Sequence, residues 1–325
     1  MKKLFSGKKI LVTGGTGSFG HQIVTRLMNE DPEEIRIISR DEKKQYDMQF
    51  EFAGNNKLRF IIGDVRNKES LIKAMRGVDI VFHAAALKQV PSCEYNPYEA
   101  VKTNAEGAQN VIDAALFHNV EKVIAISTDK AAEPVNVMGM TKAIQERLIT
   151  SANVHRDGKR TVFSCVRYGN VLGSRGSVIP VLRNQIDNDQ NLTITDLNMT
   201  RFILTLDNAI DLVFKSVEYS VGGEIFILKI PAHTVVDLAE VMLEASGKKL
   251  KLTETGIRPG EKIHESIRTI EKENLYIILP QVEIKEIEQK YKNYKNENLF
   301  RFSSDTADRL SKDALKEMLK KEKWI

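Results

Sequence analysis

The feature that most constrains the fold of this chain is a glycine-rich segment near its start. Residues 13–20 have the sequence TGGTGSFG, with Gly14, Gly17 and Gly20 in G-x-x-G-x-x-G spacing. A short β-branched run, residues 9–13, precedes the segment, and an amphipathic stretch follows it. In this context the first glycine permits a tight turn, the second lets backbone approach a pyrophosphate, and the third lets a helix pack closely on a strand. The segment therefore predicts a strand–turn–helix unit that holds a dinucleotide.

Short apolar runs alternate with stretches of helical period through the first half of the chain. The further strand-like runs are residues 35–39, 58–62, 78–82, 123–127 and 161–167, and the helical stretches between them include residues 45–52, 101–117 and 142–150. Such alternation is typical of parallel βαβ units. It predicts an α/β protein with a doubly wound parallel Rossmann sheet.

After Gly169 the alternation weakens, which indicates a second, smaller α/β unit that binds the substrate. We assign residues 1–172 plus 203–228 to the dinucleotide-binding domain and residues 173–202 plus 229–325 to the substrate-binding domain. The chain is predicted to end in a helix capped by Ser311.

Composition excludes several other classes of protein. The chain has 325 residues, 48 Lys plus Arg against 44 Asp plus Glu, and a net charge of +4, which gives no case for a nucleic-acid partner. No apolar run reaches the roughly 18 residues of a membrane span, and no secretory signal is present. Cys93 and Cys165 cannot build a disulfide framework, and the histidines lack metal-ligand spacing. We expect a cytoplasmic protein without a bound metal.

The end of the second predicted strand selects the dinucleotide. Ser39 and Arg40 stand there, and a guanidinium forms a bidentate pair with the 2′-phosphate of NADP, with Lys43 adding charge. Asp41 keeps NAD open as the alternative. Asp64, after the third strand, is placed to reach the adenine. The full set of expected cofactor-binding residues is Gly14, Thr16, Gly17, Ser18, Phe19, Gly20, Ser39, Arg40, Lys43, Asp64, Val65, Ala84, Ala85, Ala86, Asn104 and Lys142.

The fifth predicted strand ends in a hydroxyl, a carboxylate and an ammonium in succession. These are Thr128, Asp129 and Lys130, and Lys142 follows on the next predicted helix. Ligands of doubly wound folds bind outside the carboxyl ends of the strands. The three residues therefore form a candidate acid–base cluster.

Taken together, these segments resemble the extended short-chain dehydrogenase/reductase family. The glycine segment matches its cofactor loop and Lys142 matches the lysine of its Tyr-x-x-x-Lys motif, although Met138 stands at the tyrosine position. Within the family the chain is most similar to the polysaccharide-biosynthesis UDP-N-acetylglucosamine 4,6-dehydratases, including those that invert carbon 5. The resemblance covers most of the chain through GGTGSFG, SRDEKK, HAAALKQVPSCEYNP, STDKA, NVMGMTK, RYGNVLGSRGSVIP, MTRF and RPGEK.

The resemblance implies a role for each of these residues. Asp129 would be the acid, Lys130 the base at carbon 5, Thr128 a hydrogen-bonding partner of the carbon 4 oxygen, and Lys142 the ligand of the nicotinamide ribose. A UDP-sugar would be the substrate, and we expect a homo-oligomer. The expected substrate-binding residues are Lys88, Asn170, Arg175, Ser177, Arg201, Arg258 and Glu261.

Two other functions remain open at this point. A UDP-sugar 4-epimerase would share the fold and the first hydride step, but it needs no base at carbon 5. A cofactor-binding regulatory protein without catalysis is favoured only by Met138, because a thioether cannot replace the tyrosine hydroxyl in proton transfer.

Overall fold

The computed structural model describes residues 3–173, 177–256, 266–272, 275–280, 282–292 and 300–325. Within these ranges the strands are β1 (Lys9–Thr13), β2 (Glu34–Ser39), β3 (Leu58–Ile62), β4 (Ile80–His83), β5 (Lys122–Thr128), β6 (Val162–Tyr168), β7 (Asn170–Val171), β8 (Leu192–Ile194), β9 (Thr200–Leu204), β10 (Ile225–Leu228), β11 (Ala232–Thr234), β12 (Leu252–Glu254), β13 (Ser266–Lys272), β14 (Leu275–Ile278) and β15 (Phe300–Ser303).

The helices of the same ranges are α1 (Ser18–Met28), α2 (Glu42–Glu51), α3 (Lys68–Ala74), α4 (Val90–Tyr95), α5 (Pro97–Ala100), α6 (Gly107–His118), α7 (Val137–Ser151), α8 (Val178–Asp187), α9 (Leu206–Tyr219), α10 (Val235–Ser246), α11 (Lys285–Tyr291) and α12 (Lys312–Lys321). None of the helices in the described part of the chain combines the length and the apolar character that crossing a bilayer requires.

The main sheet has the strand order β15-β13-β14-β10-β6-β5-β4-β1-β2-β3. The seven neighbouring strands β10, β6, β5, β4, β1, β2 and β3 pair in parallel. Strand β14 pairs with β10 in the antiparallel direction. The strand order reverses at β1, which pairs with β2 on one side and β4 on the other. The predicted doubly wound Rossmann fold is confirmed, and its ligand-binding crevice is expected at this reversal.

Burial on both faces explains the near-continuous apolar runs of these strands. In β1 the side chains of Ile10 and Val12 enter one core cluster together with α1 and α9. Leu11 points the other way, into a second cluster with α3 and α6. Helices therefore cover both sides of the sheet, and its functional groups are confined to the strand ends and the loops that follow them.

A third core cluster supports the smaller unit. It contains Leu182 of α8, Leu238 of α10 and Leu315 of α12, each fully buried. The predicted cap of the last helix is confirmed, because Ser311 accepts a hydrogen bond from the backbone N–H of Ala314. Strands β13, β14 and β15 lie in the main sheet, although the partition made from sequence places residues 229–325 in the second domain. That partition stays a prediction.

The helix predicted over residues 101–117 is interrupted. A π-helical turn, Val101–Glu106, stands between α5 and α6. It carries Asn104, which is fully buried and exchanges hydrogen bonds with both backbone groups of Leu87. The irregular turn thus fixes the loop after β4, next to the cofactor side of the sheet.

Candidate functional site

The turn after β1 has no room for side chains at two of its glycines. Gly14 has a φ of +67°, and a Cβ there would lie 2.8 Å from the backbone nitrogen of Ala85. A Cβ on Gly20 would lie 2.4 Å from the Cα of Gly15. Helix α1 begins after Gly17 without a capping side chain. Bare backbone and an uncapped helix N-terminus are the features a pyrophosphate needs, so this turn fits the diphosphate of a dinucleotide.

The end of β4 is tied to the glycine turn by hydrogen bonds. The Thr13 hydroxyl lies 2.8 Å from Nδ1 of His83 and accepts from the backbone N–H of Ala85 at 3.2 Å. The backbone of Ala84 and Ala85 is therefore held against Gly14. Burial, assisted by the charge of Lys142, lowers the pKa of His83 to about 3, so the imidazole is neutral.

The end of β2 presents Arg40 to solvent. Its guanidinium is half exposed and lies 3.6 Å from the carboxylate of Asp64. Arg66 donates to the same carboxylate at 2.7 and 2.9 Å. Burial works against ionisation of Asp64, but the hydrogen bonds and charge of Arg66 outweigh it and lower the pKa. Asp64 is thus an ionised group shared between two arginines, and Arg40 keeps donors for a further anion.

The neighbouring charges of this loop have local partners. Asp41 caps α2 by accepting from the backbone N–H of Lys44 at 3.0 Å. Lys43 lies 2.8 Å from Asp47, one turn further along the helix. The hydroxyls of Thr16 and Ser39 are 2.9 Å apart and connect the glycine turn to the end of β2.

The three residues singled out at the end of β5 lie in contact. Thr128 donates to Oδ1 of Asp129 at 2.8 Å, and Nζ of Lys130 lies 3.1 Å from the same oxygen. Lys130 also lies 3.4 Å from Oδ1 of Asn170 in β7. Asp129 is fully buried, and its Oδ2 has no hydrogen-bond partner among the described residues. One carboxylate oxygen is therefore fixed by a hydroxyl and an ammonium, and the other is buried without a hydrogen-bond partner among the described residues.

Two glycines allow this close packing. A Cβ on Gly139 would lie 2.3 Å from the carbonyl oxygen of Lys130. A Cβ on Gly169 would lie 2.5 Å from the Cβ of Phe202 and 3.3 Å from Oδ2 of Asp129. The N-terminus of α7, capped by Asn136, thus lies directly on the turn that carries Asp129 and Lys130.

Helix α7 carries both Lys142 and Met138, and the two side chains lie in different environments. Lys142 is 95% buried, and its Nζ donates to the carbonyl of Ile126 at 2.6 Å. Burial lowers the pKa of Lys142 to about 8. Met138 packs in an apolar cluster with Cys93 and Ala100. The residue at the tyrosine position is therefore a packing residue in this chain.

Asn104 connects the loop after β4 to this helix. Besides its bonds to Leu87, it donates to the hydroxyl of Thr141 at 3.0 Å. Phe19 of α1 makes a further connection, because its ring stacks on that of Tyr168 at the end of β6 with centroids 6.1 Å apart. The ends of β1, β4, β5 and β6 thus share one layer of contacts.

The expected substrate-binding residues have varied positions. Arg201 is buried on β9 and donates a hydrogen bond to the carbonyl of Thr200. The pKa of the neighbouring His233 is lowered to about 4 by burial and further by the charge of Arg201. Ser177 begins α8, and its buried hydroxyl has no partner among the described residues. Lys88 is exposed after β4. Arg175, Arg258 and Glu261 lie outside the described residues.

A buried ion pair behind the site was missed by the sequence reasoning. Arg167 of β6 donates to Glu146 of α7 at 2.5 and 2.9 Å, and Ser127 donates to the same carboxylate at 2.6 Å. Both charged side chains are more than 90% buried. The available signal was an arginine inside an apolar strand together with a glutamate one turn after Lys142.

Comparisons with known proteins place the chain among enzymes of sugar metabolism. A family model described as "Polysaccharide biosynthesis protein" matches residues 10–319. A UDP-glucose 4-epimerase of Rickettsia felis is 50% identical over 268 residues, which cover 81% of this chain and 78% of that protein. A protein of Methanocaldococcus jannaschii, named an uncharacterized membrane protein, is 43% identical over 339 residues and covers 100% of this chain and 99% of its own.

Two solved structures are similar to this chain over nearly its whole length. The X-ray structure of Pen from Bacillus thuringiensis has 40% identity and a TM-score of 0.92, and the match covers 99% of both chains. DesIV of Streptomyces venezuelae, a dTDP-glucose 4,6-dehydratase solved with NAD, has 18% identity and a TM-score of 0.73 over 97% of this chain and 96% of its own. That second match bears on the fold alone.

The buried ion pair generates a stability prediction. We expect Arg167→Met to lower the free energy of unfolding by about 3–5 kcal/mol, because it leaves the Glu146 carboxylate buried and unpaired. The double variant Arg167→Met/Glu146→Gln removes that charge and keeps an acceptor for Ser127, so it should regain more than half of the loss. Urea unfolding of the two variants and the parent measures both effects. A double variant as unstable as the single one would contradict this account.

Proposed function

Because the chain belongs to the polysaccharide biosynthesis protein family, within the extended short-chain dehydrogenase/reductases, we propose that it is an NADP-dependent nucleotide-sugar 4,6-dehydratase. The proposed substrate is UDP-N-acetylglucosamine, and the product is a UDP-4-keto-6-deoxy-N-acetylhexosamine with inversion at carbon 5. The observation that supports the proposal is the buried Asp129 carboxylate, which has Thr128 and Lys130 on one oxygen and no hydrogen-bond partner among the described residues on the other.

Dehydration needs two proton transfers that this cluster can supply. A nicotinamide cofactor would supply, when bound, a reversible hydride acceptor for carbon 4 and carbon 6 of the sugar. Thr128 passes the proton of the carbon 4 hydroxyl to Asp129 along their 2.8 Å hydrogen bond. Asp129 then gives that proton to the departing carbon 6 hydroxyl, which leaves as water. Asp129 therefore receives one proton and releases one proton in each catalytic cycle.

Lys130 acts on the neighbouring carbon. In its neutral form it accepts the proton of carbon 5, which the carbon 4 ketone has made acidic, and releases it to solvent. Its contact with Asn170 holds the amine over the substrate side. Addition of a solvent-derived proton to the opposite face gives inversion at carbon 5 and balances the proton that Lys130 releases. Each such proton transfer typically contributes about 10²–10⁴ in rate.

The cofactor side favours NADP. Arg40 is exposed and retains donors beyond its contact with Asp64, whereas the Asp41 carboxylate is engaged in capping α2. A guanidinium pairs bidentately with a phosphate, while NAD enzymes use a carboxylate on the ribose hydroxyls. The glycine turn would hold the diphosphate and Lys142 the nicotinamide ribose.

A UDP-sugar 4-epimerase is the second candidate, favoured by the name of the Rickettsia felis relative. Epimerisation requires the carbon 4 ketone to rotate and accept hydride on its other face. It has no use for a base at carbon 5. The contact between Lys130 and Asp129 places an amine beside a carboxylate, and this pair supports dehydration over epimerisation.

A proton NMR time course with UDP-N-acetylglucosamine in deuterated buffer separates the two activities. We expect a new carbon 6 methyl signal, deuterium at carbon 5, and no stoichiometric accumulation of reduced cofactor. An epimerase would give a carbon 4 epimer without a methyl signal. One reduced cofactor per sugar would instead identify a simple dehydrogenase and end the proposal.

Two substitutions test which residue moves the proton. We expect Asp129→Asn to lower kcat about a hundredfold or more, because the general acid–base group is lost. Met138→Leu keeps the volume and removes only the sulfur, so it should retain most of the activity. Steady-state kcat of the purified variants, with cofactor occupancy checked by absorbance, measures both. An inactive leucine variant beside an active asparagine variant would show that the role has been assigned to the wrong residue.

The cofactor preference is tested at Arg40. We expect Arg40→Asp to weaken NADP binding about tenfold or more and NAD binding much less, because the phosphate partner is lost and a repulsive charge is added. The matched control is Arg59→Asp, which changes an exposed arginine of β3 paired with Glu34. Calorimetric dissociation constants for both nucleotides provide the measurement. Equal losses for NADP and NAD would place Arg40 outside the 2′-phosphate site.

A further inference from the structure

Gln145 closes a hydrogen-bonded triangle around the ammonium of Lys142. Its Oε1 accepts from Nζ of Lys142 at 2.6 Å, and its Nε2 donates to the carbonyl of Ile126 at 3.1 Å. That carbonyl also accepts from Lys142 at 2.6 Å. Gln145 is fully buried. Since its amide nitrogen is used by Ile126, the amide oxygen has to face the lysine.

The triangle lies where β5 extends beyond its neighbour. The pairing of β4 with β5 ends at His83 and Ala125, so the last residues of β5 continue past the end of β4. The Ile126 carbonyl stands in this extension and accepts from two side chains of α7. Gln145 thereby fastens the helix to the strand at the level of the cofactor crevice.

The charged and titratable groups around Lys142 make the amide contact important. His83 of β4 is neutral because burial lowers its pKa. Burial raises the pKa of the Cys165 thiol of β6 well above its usual range, so this group is neutral as well. Glu146, on the same helix as Lys142, is engaged by Arg167 of β6. Within the described residues, Lys142 donates to one side chain, the amide of Gln145, and to one backbone carbonyl, that of Ile126.

We propose that Gln145 is a positioning residue that holds the Lys142 ammonium in place and leaves one of its N–H donors for the cofactor ribose. An ammonium has three donors, and the triangle uses two of them. The proposal rests on the cofactor site proposed above, but the contact itself is a property of the protein alone. Gln145 touches no reacting atom, so its effect is exerted through Lys142.

Substitution of Gln145 should move the titration of Lys142 in opposite directions. Gln145→Leu removes the acceptor in a buried site and should shift the titration to lower pH by about one unit. Gln145→Glu places a carboxylate against the ammonium and should shift it to higher pH by a similar amount. If Gln145 merely filled space, Gln145→Leu would leave the titration of Lys142 unchanged.

The measurement is carbon NMR of the protein with lysine labelled at Cε, in which the Lys142 signal is identified by its absence in Lys142→Met. The parent should titrate near pH 8, the value set by burial of the ammonium. The alkaline limb of the pH–rate profile should then move with the NMR value in each variant. Gln109→Leu, on the exposed face of α6, is the matched control and should leave both unchanged.

Lys142 titrating at the parental pH in Gln145→Glu would overturn the proposal, as would a shift of the same sign in both variants. If Gln145→Leu fails to fold, Gln145→Met, which keeps the length of the side chain and removes the acceptor amide, takes its place. The NMR titration uses no sugar substrate. A wrong assignment of the overall reaction would therefore leave this test intact.

Discussion

The ion pair between Arg167 and Glu146 fixes the junction of β5, β6 and α7, and both halves of the candidate site are built on that junction. The pair is removed from water, where two charges are stable only with good geometry and further hydrogen bonds. Ser127 supplies one of those bonds from the strand that ends in Asp129. The helix that carries Glu146 also carries Lys142. This buried contact therefore helps to set the position of Asp129 relative to Lys142.

The two lysines of the candidate site differ in their burial and their partners. Lys142 lies inside the protein with neutral partners, so its pKa falls to about 8 and its charge becomes sensitive to pH near neutrality. Lys130 lies at the rim of the site against the carboxylate of Asp129 and the amide of Asn170. One amine is thus held by neutral hydrogen-bond acceptors, and the other lies against a carboxylate. The fold creates this division by placing one on a helix interior and the other on a turn.

Much of this arrangement was predictable because its signals are local. The glycine spacing, the β-branched runs and the Ser-Thr-Asp-Lys sequence at the end of a strand each depend on a few consecutive residues. They predicted the Rossmann sheet, which the structure confirms, and they singled out Thr128, Asp129 and Lys130, which lie in contact. The π-helical turn around Asn104 was not predicted, because its pattern of apolar residues is that of an ordinary helix. The addition of β13, β14 and β15 to the main sheet was not predicted either, since those strands pair with partners distant in sequence.

The sequence by itself determined the alternation of β1 to β6 with helices, the bare glycine turn and the chemical groups at the end of β5. These follow from steric and hydrophobic preferences of neighbouring residues. Only the tertiary structure decided which of those groups are buried and which share partners. Arg40 meets Asp64, Glu146 meets Arg167, and Gln145 meets Lys142 through α7 packing on β5. The charge state of a side chain depends on its desolvation and on its distance from groups on other strands and helices. No short segment of the sequence determines either of these.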